Sequence, residues 1–176
     1  YRREDFFVSP TNAHALAAVE DWRNWPGGKL LLVGPAGSGK THLAHLWAEQ
    51  TNAVIVPAAT LAKADVPALS DAGAVAVEDA EAVAGVPEAE AALFHLHNMV
   101  VQRGVLLLTA NAPARDWGLL LPDLKSRVEA ASAARLEAPD DALLSAVLVK
   151  LFADRQTTVQ PALIPWLVAR MERSIA

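Results

Sequence analysis

One stretch limits the folds open to this chain more than any other. Lys29-Leu-Leu-Leu-Val33 is a short apolar run, and Thr41 to Gln50 reads as a helix. Between them lies Gly34-Pro35-Ala36-Gly37-Ser38-Gly39-Lys40-Thr41, which fits the spacing G-x-x-x-x-G-K-[ST]. Glycines let the backbone curl until successive N–H groups point inward at an anion. The helix starting near Lys40 adds its positive end. Lys40 can then reach the β- and γ-phosphates of a nucleotide, and the Thr41 hydroxyl can ligate Mg²⁺. The strand and helix on either side are the context that separates such a loop from an ordinary glycine turn.

Four further runs resemble the first: Val54–Val56, Ala74–Val77, Val105–Thr109 and Ala134–Leu136. Uninterrupted apolar character over so few residues suits strands covered on both faces, as in a parallel sheet. Helices are expected over Asn12–Trp25, Thr41–Gln50, Pro87–Arg103 and from Leu121 to about Glu129. Strands alternating with helices imply a three-layer α/β architecture. After Pro139 the pattern becomes helical, with Asp140–Arg155 and Pro161–Arg173 as the two segments. We therefore expect an α/β domain over residues 1–138 and a small helical domain over 139–176. The latter reads as incomplete, because Ser174-Ile175-Ala176 carry no stop signal.

Composition narrows the partners. No apolar run approaches the roughly 18 residues of a membrane span, and with charged residues among Tyr1 to Asp5 no secretory signal is expected in this stretch. The absence of cysteine among 176 residues excludes disulfides and thiolate metal sites. The net charge is -5, and residues 59–92 hold one lysine against seven acids, so direct DNA binding is not expected. His42 and His45, and His95 and His97, lack a clustered third ligand and read as packing or surface residues rather than a metal site.

A nucleotide–Mg²⁺ site also needs carboxylates at a neighbouring strand tip, and Glu78-Asp79 directly follow Ala74–Val77. Glu78 would face the metal, and Asp79 would orient or polarise the attacking water. Such pairs ordinarily begin with Asp. The extra methylene of Glu78 moves the carboxylate by about 1 Å, enough to slow hydrolysis roughly 10²-fold while sparing nucleotide binding.

These motifs, taken together, resemble the AAA+ module of the bacterial replication initiator DnaA, and more closely the shorter DnaA-related regulators of the Hda type. The resemblance rests on residues 5–12, GPAGSGKTHLAHLW, AVAVEDAEAVAG, EAALFHLHNMVVQRG, LLLTANAPARDWGLLLPDLKSRV and ARLEAPDDALLSAVLVKLFADR. It implies a P-loop NTPase fold of AAA+ type: a parallel five-stranded sheet with helices on both faces, then a helical lid. ATP or ADP would lie between sheet domain and lid, with Mg²⁺. Val8 and Asn12 fall where the family contacts adenine, and His42 extends the nucleotide-binding loop. Asn111 takes the polar position near the γ-phosphate, where an amide hydrogen-bonds without carrying charge. Arg127 takes the arginine-finger position, acting in trans on a neighbour's γ-phosphate, and Arg173 that of the lid arginine.

The implied function is regulation of replication initiation: promotion of ATP hydrolysis on DnaA, with weak ATPase activity of its own. DnaA and the replication sliding clamp are the implied partners, although no clamp-binding segment is visible ahead of Tyr1. Self-association through AAA+ faces is compatible with these residues, and the implied location is cytoplasmic. Two other readings share the motifs. One is the ATPase core of a DnaA-like initiator or helicase loader that binds DNA. The other is a small-molecule kinase, which leaves Asn111, Arg127 and Arg173 unexplained.

Overall fold

The computed structural model describes residues 1–155 and 163–171. Five strands form one sheet in the order β2-β3-β4-β1-β5, with every pairing parallel. They are β1 (Lys29–Val33), β2 (Val54–Pro57), β3 (Ala74–Glu78), β4 (Val105–Ala110) and β5 (Ser132–Arg135). The helices are α1 (Ala13–Glu20), α2 (Lys40–Thr51), α3 (Val66–Ser70), α4 (Pro87–Arg103), α5 (Pro122–Glu129), α6 (Asp141–Asp154) and α7 (Leu163–Val168).

The sheet explains why its strands are apolar throughout. Side chains alternate between faces. Leu31, Val33, Val75, Val77, Leu106 and Leu108 enter a core closed by α4 and α5. Their neighbours Leu30, Leu32, Ala74, Ala76 and Leu107 enter a second core on the opposite face, closed by α1 and α2. Trp25 stacks on Trp47 of α2 in this second core, with ring centroids 5.4 Å apart. Truncating a fully buried residue between layers, such as Leu93 of α4, costs about 2–5 kcal/mol.

Several elements differ from the sequence expectation. The helix expected over Asn12–Trp25 ends at Glu20 and gives way to a 3-10 turn, Trp22–Asn24. Asn24 Nδ2 donates to Asp21 Oδ1 at 2.6 Å, and its main-chain N–H to the Asp21 carbonyl at 2.9 Å. Such local bonds offer the backbone an alternative to the helix. The edge strand β5 begins two residues before the expected Ala134. The helix α3 has no counterpart among the expected elements. Asp65 starts it, its carboxylate accepting the Ala68 N–H at 3.1 Å. Of the last expected helix, Pro161–Arg173, residues 163–168 are helical and 169–171 form a turn, while 161, 162, 172 and 173 lie outside the described residues. Among the described residues no helix is long and apolar enough to cross a membrane.

Candidate functional site

The carboxyl ends of β1, β3, β4 and β5 meet at one edge of the sheet, where ligands of open α/β folds bind. Gly34 leaves β1 there, its N–H donating to the Ala110 carbonyl at 3.1 Å. Leu136 N–H donates to the Val33 carbonyl at 2.8 Å, so three strand tips are tied together. A Cβ on Gly34 would lie 2.7 Å from both the Leu136 carbonyl oxygen and Ser38 Oγ, so no larger residue fits without moving the loop. Gly39 has φ 105°, a left-handed value that glycine adopts without penalty, and it caps α2 with no side-chain acceptor. The first bond of the helix is Leu43 N–H to the Gly39 carbonyl, at 3.1 Å. The amides of Lys40, Thr41 and His42 therefore precede the hydrogen-bonded ladder and face outward from its positive end. Ser38 Oγ is buried beside them with no hydrogen-bond partner among the described residues.

Lys40 is buried, and its ammonium donates to the carbonyls of Gly34 at 2.6 Å and Pro35 at 2.9 Å. Burial pushes its pKa below the ordinary lysine value, while Asp79, then Glu81 and Glu78, pull it back up.

Those three acids define the far wall. Glu78 ends β3, with Oε1 buried and unpartnered among the described residues. Asp79 follows in a left-handed conformation at φ 52°, ψ 50°, and its N–H donates to Thr109 Oγ1 at 3.1 Å. Glu81 joins them without a motif to mark it. Its Oε1 accepts the Asn111 main-chain N–H at 3.1 Å, and its Oε2 is buried and unpartnered among the described residues. Thr109 was missed likewise; the signal was its hydroxyl at the tip of an otherwise apolar strand.

Around this centre the expected residues divide. Thr41 and Asn111 are exposed at the loop and at the tip of β4. The Asn12 amide is committed to its own turn: Oδ1 accepts the Ser9 N–H at 2.9 Å, and Nδ2 donates to the Phe7 carbonyl at 2.8 Å. Asn12 thus shapes the 7–12 segment. Val8 is 54% exposed. His42 packs edge-on against Phe6, and burial lowers its pKa, partly opposed by its hydrogen bond to the Arg2 carbonyl. It borders a cavity of about 170 Å³ lined by Phe6, Phe7, Leu143, Val147 and Lys150. Lys150 on α6 pairs with Asp5 at 3.2 Å, joining α6 to the N-terminal segment at the cavity rim.

Arg127 is not part of this cluster. It is exposed near the end of α5, and its carbonyl accepts from Lys29 Nζ at 2.9 Å. Lys29 opens the strand that Gly34 follows, so the two are separated by the length of β1, roughly 16 Å. Arg173 lies outside the described residues. No group of histidines and acids among the described residues forms a metal-binding cluster by itself.

No family model matches the chain. Its fold is shared by solved replication initiators. A DNA replication initiation factor superposes with a TM-score of 0.87 at 17% identity, over 99% of this chain and 60% of that one. DnaA from Aquifex aeolicus bound to AMPPCP gives 0.81 at 18% identity, over 98% of this chain and 61% of that one. Domain III of DnaA from Thermotoga maritima gives 0.79 at 17% identity, over 98% and 81%. The chain thus spans about three-fifths of the length of the longer initiators it matches. At such identities the likeness establishes the fold alone, one shared with these initiator domains.

Proposed function

We propose that this chain binds an adenine nucleotide at the Gly34–Thr41 loop and regulates replication initiation, with Arg127 promoting hydrolysis of ATP held by a DnaA-type initiator. The separation of Arg127 from Lys40 carries this reading. One molecule bears a phosphate loop ringed by Glu78, Asp79 and Glu81, and bears its arginine at the other end of β1. These parts complete a hydrolytic site only between two molecules.

Within one chain the roles follow from the contacts. The amides of Lys40, Thr41 and His42 and the α2 dipole would hold the phosphate tail. Lys40 would exchange the Gly34 and Pro35 carbonyls for phosphate oxygens, gaining charge-assisted bonds. The cavity beside His42, with Phe6, Phe7, Leu143 and Val147 on its walls and Asp5, Lys150 and Asp154 in its lining, suits a planar base with polar edges. The exposed Thr41 hydroxyl and the orphaned, buried Glu78 Oε1 form an oxygen donor set that fits a hard cation, so these two residues would hold Mg²⁺. Bound there, Mg²⁺ supplies neutralisation of phosphate charge. Asp79 would orient the attacking water, and Asn111 would donate to it or to a phosphate oxygen. With Glu in place of Asp at residue 78, slow hydrolysis by the chain alone is expected.

The test is a mixing assay with DnaA carrying labelled ATP and clamp-loaded DNA, which includes the second proposed partner. Accelerated release of labelled phosphate is expected; an unchanged rate would refute the reading. A second reading, the ATPase core of a longer DNA-binding initiator, draws on the extra length of the matched initiators. A basic domain in the full gene product would favour it.

A further inference from the structure

The helix that carries Arg127 is held at its start by α4 and near its end by Lys29 of β1, which α4 in turn contacts through His97. At its start, Glu90 is buried to 1% exposure, and its Oε1 accepts the N–H groups of Leu120 at 2.8 Å and Leu121 at 3.1 Å. Leu121 is the N-cap of α5 and has no capping side chain of its own. The Glu90 carboxylate therefore caps α5 from another element and complements its dipole. Its other oxygen accepts the Gly85 N–H at 3.1 Å, on the segment that follows Glu81.

At the other end, Lys29 Nζ donates to the Arg127 carbonyl at 2.9 Å and lies 3.0 Å from His97 Nε2. His97 Nδ1 lies 3.0 Å from Asn98 Oδ1. An amide oxygen only accepts, so Nδ1 carries the proton and Nε2 offers its lone pair to the lysine. Glu90 and His97 lie seven residues apart on α4, about 10 Å and nearly two full turns. The eight residues of α5 measure about 12 Å. The two grips fall at the N-cap of α5, Leu121, and at Arg127, the sixth residue of the helix.

We propose that Glu90 and the Lys29–His97 pair are positioning residues for Arg127: they fix α5 at both ends, and the second grip holds only while His97 is neutral. The proposal rests on the reading of Arg127 as the group that acts in trans.

Two observations favour a positioning role over bulk stability. Lys29 is buried without a carboxylate partner among the described residues, so its desolvated charge is offset only by the Arg127 carbonyl and His97 Nε2. The charges reaching His97 are Lys29 from β1 and Arg127 from α5, both cationic. Burial, together with these charges, keeps the His97 pKa below its ordinary value despite the Asn98 bond, so the folded state favours the neutral ring. The grip is therefore complete at neutral pH and is lost only on acidification below the ordinary histidine range, as the ring takes up a proton.

The decisive experiment compares hydrogen exchange by mass spectrometry in the native chain, Lys29→Met and His97→Gln. Gln keeps an acceptor for Lys29 but cannot titrate. In Lys29→Met, exchange at residues 125–130 should rise about tenfold with the strands unchanged. The native chain should show the same local loosening on acidification, and His97→Gln should not. Unchanged exchange near Arg127 in Lys29→Met, loosening spread equally over β1 and β4, or the same acid response in His97→Gln would overturn the proposal. The DnaA mixing assay runs in parallel. If the native chain fails to stimulate there, the trans reading of Arg127 falls, and the exchange data still decide whether the grip exists.

Discussion

Lys40 Nζ stands 2.6 Å from the carbonyl oxygen of Gly34, the residue that opens its own phosphate loop. The ammonium is buried against neutral acceptors, and burial lowers its pKa. A polyphosphate would place negative charge at the same point and raise that pKa again. Nucleotide binding should therefore take up protons in alkaline buffer, and affinity should fall as pH climbs through the lowered pKa of the free chain. Calorimetry in two buffers of different ionisation enthalpy reads this directly. Identical heats in both would mean that Lys40 does not meet the phosphates.

Gly34 admits no side chain. In Gly34→Ala, the new Cβ presses on the Leu136 carbonyl and Ser38 Oγ, both at 2.7 Å. Overpacking of this kind costs about 1–3 kcal/mol. Denaturant melts should show that loss, and nucleotide affinity should fall with it. A variant of native stability would place the loop differently from the arrangement described above.

Glu81 faces Lys40 from the acidic wall while holding the Asn111 amide at 3.1 Å. Glu81→Gln keeps an oxygen for that amide and removes a charge that would repel phosphate. Affinity for ADP should rise a few-fold at low salt, with the gain shrinking as salt screens the site. Weaker binding, measured by fluorescence titration, would show that the carboxylate assists the ligand instead.

Arg127 separates binding from partner action. Arg127→Ala should leave nucleotide affinity within about twofold, because the residue meets Lys29, which opens β1 at the end opposite the loop. It should abolish stimulated hydrolysis of DnaA-bound ATP. Full stimulation by the variant would remove Arg127 from the proposed role.

Much of this arrangement was legible in the chain because its signals are local. β1, β3 and β4 stand out as uninterrupted apolar runs, since both of their faces are buried. The bounds of α4 follow from Pro87 and its first-turn acids at one end and Gly104 at the other. The phosphate loop announces itself through glycine spacing. The short α3 did not, because its alanine-rich surroundings carry no clear period, and β5 was misplaced because an edge strand of Ser-Ala-Ala-Arg has little apolar signal. The polar contacts were hidden for another reason. Thr109 meets Asp79 across 30 positions, and Lys29 meets the Arg127 carbonyl across 98. His97, read as a packing residue, accepts from a lysine 68 positions away, a separation at which no local pattern links the two.

The central claim is that the loop from Gly34 to Thr41 grips a polyphosphate. Titrating Mg·ADP into the native chain and into Lys40→Ala by calorimetry tests it most directly. The account predicts saturable binding by the native chain, and affinity weakened by about 100-fold or more in the variant with its fold intact by circular dichroism. Equal affinity in the two proteins, or no binding by the native chain, would contradict it.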